Sequence, residues 1–567
     1  MTIASDDRSK GATGAGAVDP LTLAVVQGAL QEITNEMDAA FKNTAFSPII
    51  AEGNDLASGI YHPETGEVIS QGEESLPLFV AVMQDTAKYV LRSIAGRRAF
   101  EPGDVYIVNY PYFGGTHLMD VKMVMPYFAN GELFALLANT GHWPDIGGSV
   151  PGGFAGHATE IYQEGLVLPP IRLYRAGALD EETLQLILAN IRVSRPRVGD
   201  MHAQYTSLRL GADRLDGLVR RFGTAVLRSA IAEMFDRAEA VMRSHIQDFP
   251  DGVYQYRDHM DSDGVDPDPL DIDLTLTVAG SDMTMDFSRS SPACKGPLNS
   301  GLSSTLSACH VALKHVFPDV PINAGSFKPV RIVVPETCFL NAKPPRPVSG
   351  ATAEVSQRII DVTFGALAQA APEKVTAGAF SSTINVTVGG HDEEMGEYVL
   401  YLYFGGGYGG HSGGDGISNG CSLQSTARMT PMEIYEQRHP FRVRHFRIRE
   451  NSGGYGRQRG GYGVDMAIEL LRGTAVVSLL GDRGKFPPRG LLGGEDGACT
   501  RFQVRHKNGV IYVPPAVTKD ERYPIEAGDI IEICSGGGAG YGPASERAPE
   551  DRAADRLAGY YPGRVLE

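Results

Sequence analysis

Glycine constrains this chain more than any other feature. It supplies 68 of 567 residues, or 12 %, against about 7 % in an average protein. Much of it falls in late blocks: FGGGYGGHSGGDG (404–416), NSGGYGRQRGGYG (451–463), LLGGEDG (491–497) and SGGGAGYG (535–542). Many residues without a Cβ imply many positions of positive φ or close backbone approach. A helical bundle has little use for them; a β-rich, loop-rich body does. Glycine segments cradle phosphates at strand–helix junctions, whereas these blocks lie amid strand-like stretches. Turns are therefore their expected role.

Periodicity supplies the rest of the architecture. Residues 1–18 are small and polar and read as a flexible tail. Asp19 and Pro20 then open a helix carrying Val26, Leu30, Ile33, Met37 and Phe41 at helical spacing. A hairpin is expected around His62–Gly66, strands at 104–110 and 132–140, and helices at 179–192 and 200–246, the last long enough to be two. From 271 to 287 apolar residues alternate about Gly280, which marks a half-buried hairpin. Helices are expected at 302–316 and 353–371, strands and glycine turns from 376 onward, and a helix in the last 20 residues. The expected fold class is α+β: a mixed α/β region over 19–250, then a β-rich region with interspersed helices over 251–567.

Composition removes several function classes. A net charge of -17 leaves no positive field for a phosphate backbone or an anionic membrane surface. No run of 18 apolar residues marks a membrane span. No apolar leader segment marks secretion, so a cytoplasmic location is expected. The six cysteines form no CxxC pair and are expected as reduced thiols, which excludes a zinc ribbon.

The stretch NYPYFGGTHLMDVKMVMPYFANGELFALLANTGHWPDIGG (109–148) is where chemistry concentrates. His117 and Asp120 sit three apart in a glycine turn beside a strand, and His142 follows another strand. Two adjacent strands bring those turns to one end of a sheet. Two imidazoles and a carboxylate form a donor set for Zn, Mn or Fe with coordination positions left open. Such an ion keeps enough positive charge to acidify water. On spacing alone the competing reading is two surface histidines and loop aspartates. Asp55 and Asp145 are candidate catalytic or supporting partners. Trp143, the only tryptophan, is either a core anchor or a pocket wall.

Other motifs fail on spacing. DSDGVDPDPLD (261–271) places its glycine fourth rather than sixth, so it is no EF-hand. GDRGK (481–485) lacks the P-loop spacing, and Gly454, Gly456 and Gly460 do not make GxGxxG. Ser307, Cys309 and His310 lie on a predicted helix, where adjacent groups point apart. His411 and Asp415 in the glycine loop read as well as a solvated turn as they do as pocket residues.

The chain resembles the hydantoinase B/oxoprolinase family from Asp19 to the C-terminus. The resemblance rests on DPLTLAVVQGALQEITNEMDAAFKNTAFSP, PGDVYIVNYPYFGGTHLMDV, GHWPDIGGSVPG, TEIYQEGLVLPPIRL, LILANIRV, MDFSRSSPACKGPLN, ENSGGYGRQRGG and AGDIIEICSGGGAGYG. It implies an ATP-dependent enzyme that opens cyclic amides such as hydantoins, 5-oxoproline or lactams. It also implies a hydantoinase A-type ATPase partner in a hetero-oligomer. A related branch carboxylates ketones such as acetone or acetophenone. The resemblance assigns the metal or water-positioning cluster to Asp55, His117, Asp120 and His142. Many members carry His-Ala after the second histidine, whereas Trp143 and Pro144 stand here, which alters the expected pocket shape.

These readings converge on one expectation. No nucleotide motif is present, so ATP is handled on the partner. Phosphorylation of the amide carbonyl there leaves water activation to this chain. His117, Asp120 and His142 hold or orient a divalent ion, Asp55 serves as ligand or base, and Trp143 and Asp145 contact substrate. The alternatives are a ketone carboxylase subunit acting on a phosphorylated enol and CO2, and a non-catalytic scaffold for the ATPase.

Overall fold

The computed structural model describes residues 18–561. The expected tail, apart from Val18, lies outside them. Asp19 caps the first helix, Pro20–Thr44, accepting from the main-chain N–H groups of Leu21 and Thr22 at 3.1 and 3.0 Å. This helix buries Leu23, Val26, Leu30, Ile33, Met37 and Phe41 on one face. It packs along the long helical segment Ser194–Gln247, which breaks at Gly223, where φ is 75°.

Behind these helices stands a seven-stranded antiparallel sheet. Its order is Val68–Gln71, Leu56–Tyr61, Glu132–His142, Asp120–Ala129, Val105–Val108, Ile171–Arg175 and Ala178–Leu179. Its middle strands are buried on both faces, so their apolar runs are nearly continuous rather than alternating. A four-stranded sheet follows, Val330–Val333, Asp282–Asp286, Leu270–Ala279 and Gly252–Met260. The helix Leu302–Val316 packs on the helix Ser356–Leu367, which in turn packs against this sheet. The second of these opens with a π-turn, Ala351–Val355, where an unbroken helix over 353–371 was expected. Two further antiparallel sheets, one holding Asn385–Asp392 and Gly396–Leu402, the other Phe441–Ile448 and Val464–Leu470, pack face to face over Val386, Leu400, Met466, Ile468 and Ile531. A helix, Pro549–Leu557, follows near the C-terminus.

The cores do not part near residue 250. One continuous core takes in Leu23, Leu136, Met234, Leu274, Phe339 and Ile360, and a second begins at Ile384. The reason is that the sheet after 250 lays its apolar face, through Ile272, Leu274 and Met285, into the interior already formed by the N-terminal helices.

The late glycine blocks are more than turns. Four of them lie against one another and exchange main-chain hydrogen bonds: Gly407 N–H to Gly536, Gly410 to Ala539, Gly538 to Gly461, Gly461 to Tyr408 and Gly540 to Glu495. The backbones approach too closely for side chains. A Cβ on Gly407 would lie 2.0 Å from the Gly461 carbonyl oxygen and 2.1 Å from the Gly538 nitrogen. Close approach, rather than positive φ, is what demands glycine here.

Two rejected motifs meet each other. Asp261 of DSDG accepts from the main-chain N–H groups of Gly484 and Lys485 of GDRGK, at 2.6 and 2.9 Å. Consecutive amides thus cradle a carboxylate of the protein itself. Asp263 is filled by N–H donors from Val265, Asp266, Lys295 and Gly296, leaving nothing for a calcium ion.

Candidate metal centre

Three neighbouring strands deliver the cluster. Register pairs Asp120 with His142 and Leu56 with Gly141. Asp55, His142 and Asp120 therefore stand in a row at one end of the seven-stranded sheet. The His142 N–H donates to the Asp55 carbonyl at 3.3 Å. His117 enters from the GGTH turn just ahead of the Asp120 strand. That turn is tied down by Asn109 Nδ2 on the Leu118 carbonyl at 2.9 Å and by the Gly114 N–H on Ser303 Oγ at 3.1 Å.

The donor atoms of His117, Asp120 and His142 all lie within 4.8 Å of one another, and all three residues are buried. Asp120 Oδ1 is 3.0 Å from His117 Nε2 and 3.3 Å from His142 Nδ1, and Asp55 Oδ2 is 3.8 Å from His142 Nδ1. The other nitrogen of His117, Nδ1, sits 3.3 Å from the Ser349 carbonyl. A carbonyl only accepts, so Nδ1 carries a proton and Nε2 is the nitrogen turned to the cluster. It faces a carboxylate oxygen, as does His142 Nδ1. One anionic oxygen between two imidazole nitrogens is held together by a proton or by a cation. The donor set and its arrangement fit a divalent ion.

The electrostatics are asymmetric. Burial alone would lift the Asp120 carboxyl, but the charge and hydrogen bond of His117, the hydrogen bond of His142 and the charge of Lys122 hold it well below the usual carboxylate range. Asp55 is driven well above that range by burial and by the neighbouring Asp120 charge. Burial likewise lowers His142. Lys122 is buried behind the cluster, donating to Thr116 Oγ1 at 3.1 Å and to the Asp120 carbonyl at 2.9 Å, and burial pushes it down to about 8.

The cluster lines a cavity that is partly open to solvent. Much of the rest of its wall comes from after residue 350: Thr352 and Ala353 of the π-turn, Asn385, Tyr401, and the 421–427 loop. The rings of His142, Phe154 and Tyr401 stack with centroids 5.1 to 6.0 Å apart. The site is therefore built jointly by the stretches before and after residue 250.

Two expected substrate contacts lie elsewhere. Trp143 does not line the cavity. His142 faces it, and the next residue along an extended chain points the other way, so the Trp143 indole is buried and donates to Gln204 Oε1 of the long helix at 3.2 Å. Asp145 is fully buried and organises its own loop, accepting from the N–H groups of Gly147 and Gly152 and from Arg192, whose Nη1 lies 2.8 Å away. Ser307 donates to the Leu78 carbonyl, and His310 stacks on Phe327, pushed down to about 3 by burial. Asp415 is held by Arg547 and Arg459.

Sequence reasoning missed Glu164, Glu354, Asn385 and Tyr401. Glu164 is buried and accepts from Val348 and Ser349 N–H at 2.8 and 2.7 Å, fixing the segment whose Ser349 carbonyl orients His117. A carboxylate inside EGLVLPP was its only signal. Tyr401 was marked only by the aromatic-rich run YVLYLYF (398–404), which says nothing about what its face of the strand meets.

A family model described as hydantoinase B/oxoprolinase matches residues 19–544. The chain belongs to this family. Among its relatives are an uncharacterized protein of Methanocaldococcus jannaschii, 33 % identical over 94 % of this chain and 92 % of that protein, and a putative D-/L-hydantoinase subunit of Pseudomonas sp. (strain NS671), 30 % identical over 96 % and 93 %. The solved ATP-dependent caprolactamase from Pseudomonas jessenii superposes with a TM-score of 0.87 at 27 % identity, covering 96 % of this chain and 95 % of that one. A nucleotide-free acetone carboxylase shares the fold at 18 % identity, TM-score 0.88, over 97 % and 79 %.

Proposed function

We propose that this chain is the hydrolytic subunit of an ATP-dependent enzyme that opens cyclic amides. The observation that carries the reading is the buried triad of His117, Asp120 and His142, with the partly buried Asp55 beside it, on the wall of a cavity. The names of the hydantoinase and caprolactamase relatives supply the reaction class. A separate hydantoinase A-type ATPase carries the nucleotide, since this chain's glycine blocks are occupied with one another and its GDRGK amides with Asp261.

In this reading His117, Asp120, His142 and Asp55 hold a divalent ion, Zn, Mn or Fe. Bound there, it supplies Lewis acidity that brings the pKa of water toward ~7. The partner transfers the γ-phosphoryl group of ATP to the amide carbonyl oxygen. The amide carbon is then attacked by water, and Asp55 takes the water's proton. The ring C–N bond breaks, its nitrogen gains that proton, and the acyl phosphate left behind is cleaved by a second water to a carboxylate and phosphate. His117, steadied by Ser349 and Glu164, keeps Nε2 on the reacting side. The apolar flank of the cavity, Leu76, Leu78 and Phe79, excludes bulk water.

The test is co-purification with the ATPase partner and a screen of cyclic amides and ketones, each with and without bicarbonate. Ring opening with ATP and without bicarbonate is the expected result. Ketone-dependent consumption of bicarbonate would replace the reading with the carboxylase. His117→Ala is expected to lose both bound metal and turnover, by at least ~100-fold, with its circular dichroism unchanged. Normal metal content and turnover in that variant would reject the site.

A further inference from the structure

The cavity wall beside the cluster carries a hydrogen-bond chain whose polarity can be read. Asn385 is fully buried. One of its terminal atoms lies 2.9 Å from the Leu480 carbonyl and 3.2 Å from Glu354 Oε1. A main-chain carbonyl only accepts, so that atom is the amide nitrogen. Glu354 Oε1 also accepts from the Thr383 N–H at 3.0 Å, which fixes the carboxyl in turn. The other terminal atom of Asn385 is then its oxygen, an obligate acceptor, and it lies 2.9 Å from the Tyr401 hydroxyl. The only hydrogen of that phenol is therefore spent on Asn385. What Tyr401 presents to the cavity is a lone pair. Its ring cannot turn away, being stacked on His142 at 5.1 Å and on Phe154 at 5.3 Å.

We infer that the Tyr401 oxygen accepts the ring N–H of the cyclic amide, and so selects substrates unsubstituted at the nitrogen that becomes the leaving group. This rests on the hydrolase reading above and deepens it. An acceptor beside the cluster is unmatched by a ketone, which has no N–H, and by an N-alkylated amide. The hydrogen survives activation: phosphorylating the carbonyl oxygen, with nitrogen keeping its proton, leaves an N–H of increased acidity and thus a stronger donor. The contact also orients the ring so that its carbonyl carbon, rather than its nitrogen, faces the cluster. Glu354 and Asn385 are positioning residues, acting through Tyr401.

The experiment uses the complex with its ATPase and pairs of substrates: hydantoin, ε-caprolactam and 5-oxoproline, each beside the analogue methylated at the leaving nitrogen. In the native complex kcat/KM is expected to favour the N–H member of an accepted pair by roughly 10–100-fold, the range of one buried hydrogen bond. Tyr401→Phe keeps the stacked ring and removes the oxygen. It is expected to cut that preference at least ~10-fold, mainly through loss on the N–H substrate, while metal content stays unchanged. An unchanged preference, or equal loss on both members, would overturn the inference. Should the variant not fold, a native complex that opens both members equally overturns it as well. A complex that opens no ring at all speaks against the hydrolase reading itself, a result distinct from either.

Discussion

Asp55 and Asp120 face the proposed cation position from opposite electrostatic states. Asp120 is held as a carboxylate by His117, His142 and Lys122, whereas burial and the Asp120 charge keep Asp55 protonated to an unusually high pH. A divalent ion needs both as anions. Metal uptake by the metal-free protein is therefore expected to expel a proton from Asp55, and affinity is expected to rise with pH until that carboxyl ionises unaided. Titration calorimetry in buffers of different ionisation enthalpy measures the proton count. Asp55→Asn is expected to bind metal more weakly and to lose the Asp55 proton. The same count in that variant would place the proton elsewhere. At this scale the sequence was legible for the residues that converge but not for their surroundings. His117, Asp120 and His142 carry donor types that chemistry picks out. Trp143 and Asp145 were chosen by adjacency, and adjacency fails on an extended chain because neighbours point to opposite faces. Tyr401 and Glu354 come from elements more than 200 residues away, and no local pattern links them to the GGTH turn.

Elements whose contacts are local were readable, because periodicity records which face is buried. The helix from Pro20 and the hairpin about Gly280 follow from that rule, while the break in the long helix was marked only by the length of the stretch. The glycine blocks do not, since their partners are other glycine blocks tens of residues distant. Their meaning lies in pairwise backbone distance, which a single segment does not encode. Two substitutions of the same kind separate the two roles of glycine. Gly407→Ala drives a Cβ into the Gly461 carbonyl at 2.0 Å, against main chain that cannot rotate aside. It is expected to destabilise by about 3 kcal/mol or more, at or beyond the usual range for overpacking. Gly28→Ala sits on the exposed face of the first helix, with nothing within 4 Å of its Cβ. It is expected to stabilise by about 0.5–1 kcal/mol through helix propensity and a less free unfolded chain. Urea midpoints of the two variants, read with their m-values, check both signs. A mild effect at Gly407 would mean that the layer yields as a loop does.

Across the whole molecule, three buried carboxyls sit where separate parts of the chain meet. Asp38 ties the first helix to the 72–75 turn through Ser75 Oγ at 2.6 Å. Glu164 ties the seven-stranded part to the 348–349 peptide, and Glu354 ties the π-turn to Asn385 and the third sheet. Burial lifts Asp38 to about 7 and the two glutamates to about 8. Each has a raised native pKa, so its contribution to stability is full below the unfolded value near 4 and is lost as pH climbs to the native value. The buried histidines act in the opposite sense. His310 and His439 are pushed down to about 3 and about 4, so they add stability as pH rises to about 6.5, where the unfolded imidazoles have lost their protons, and nothing further above it. Lys122, lowered to about 8, begins to stabilise only above that pH. Between pH 6.5 and 8, then, the carboxyls act with little opposition, at up to about 1.4 kcal/mol per pH unit for each group still protonated in the native state. The metal-free protein is expected to lose on the order of a few kcal/mol across this interval, with a falling urea midpoint. Glu354→Gln, which cannot ionise, is expected to flatten the slope. A midpoint constant from pH 6.5 to 8 would show that these three carboxyls are already ionised in the folded chain. The junctions between its parts would then be held by charge rather than by neutral hydrogen bonds.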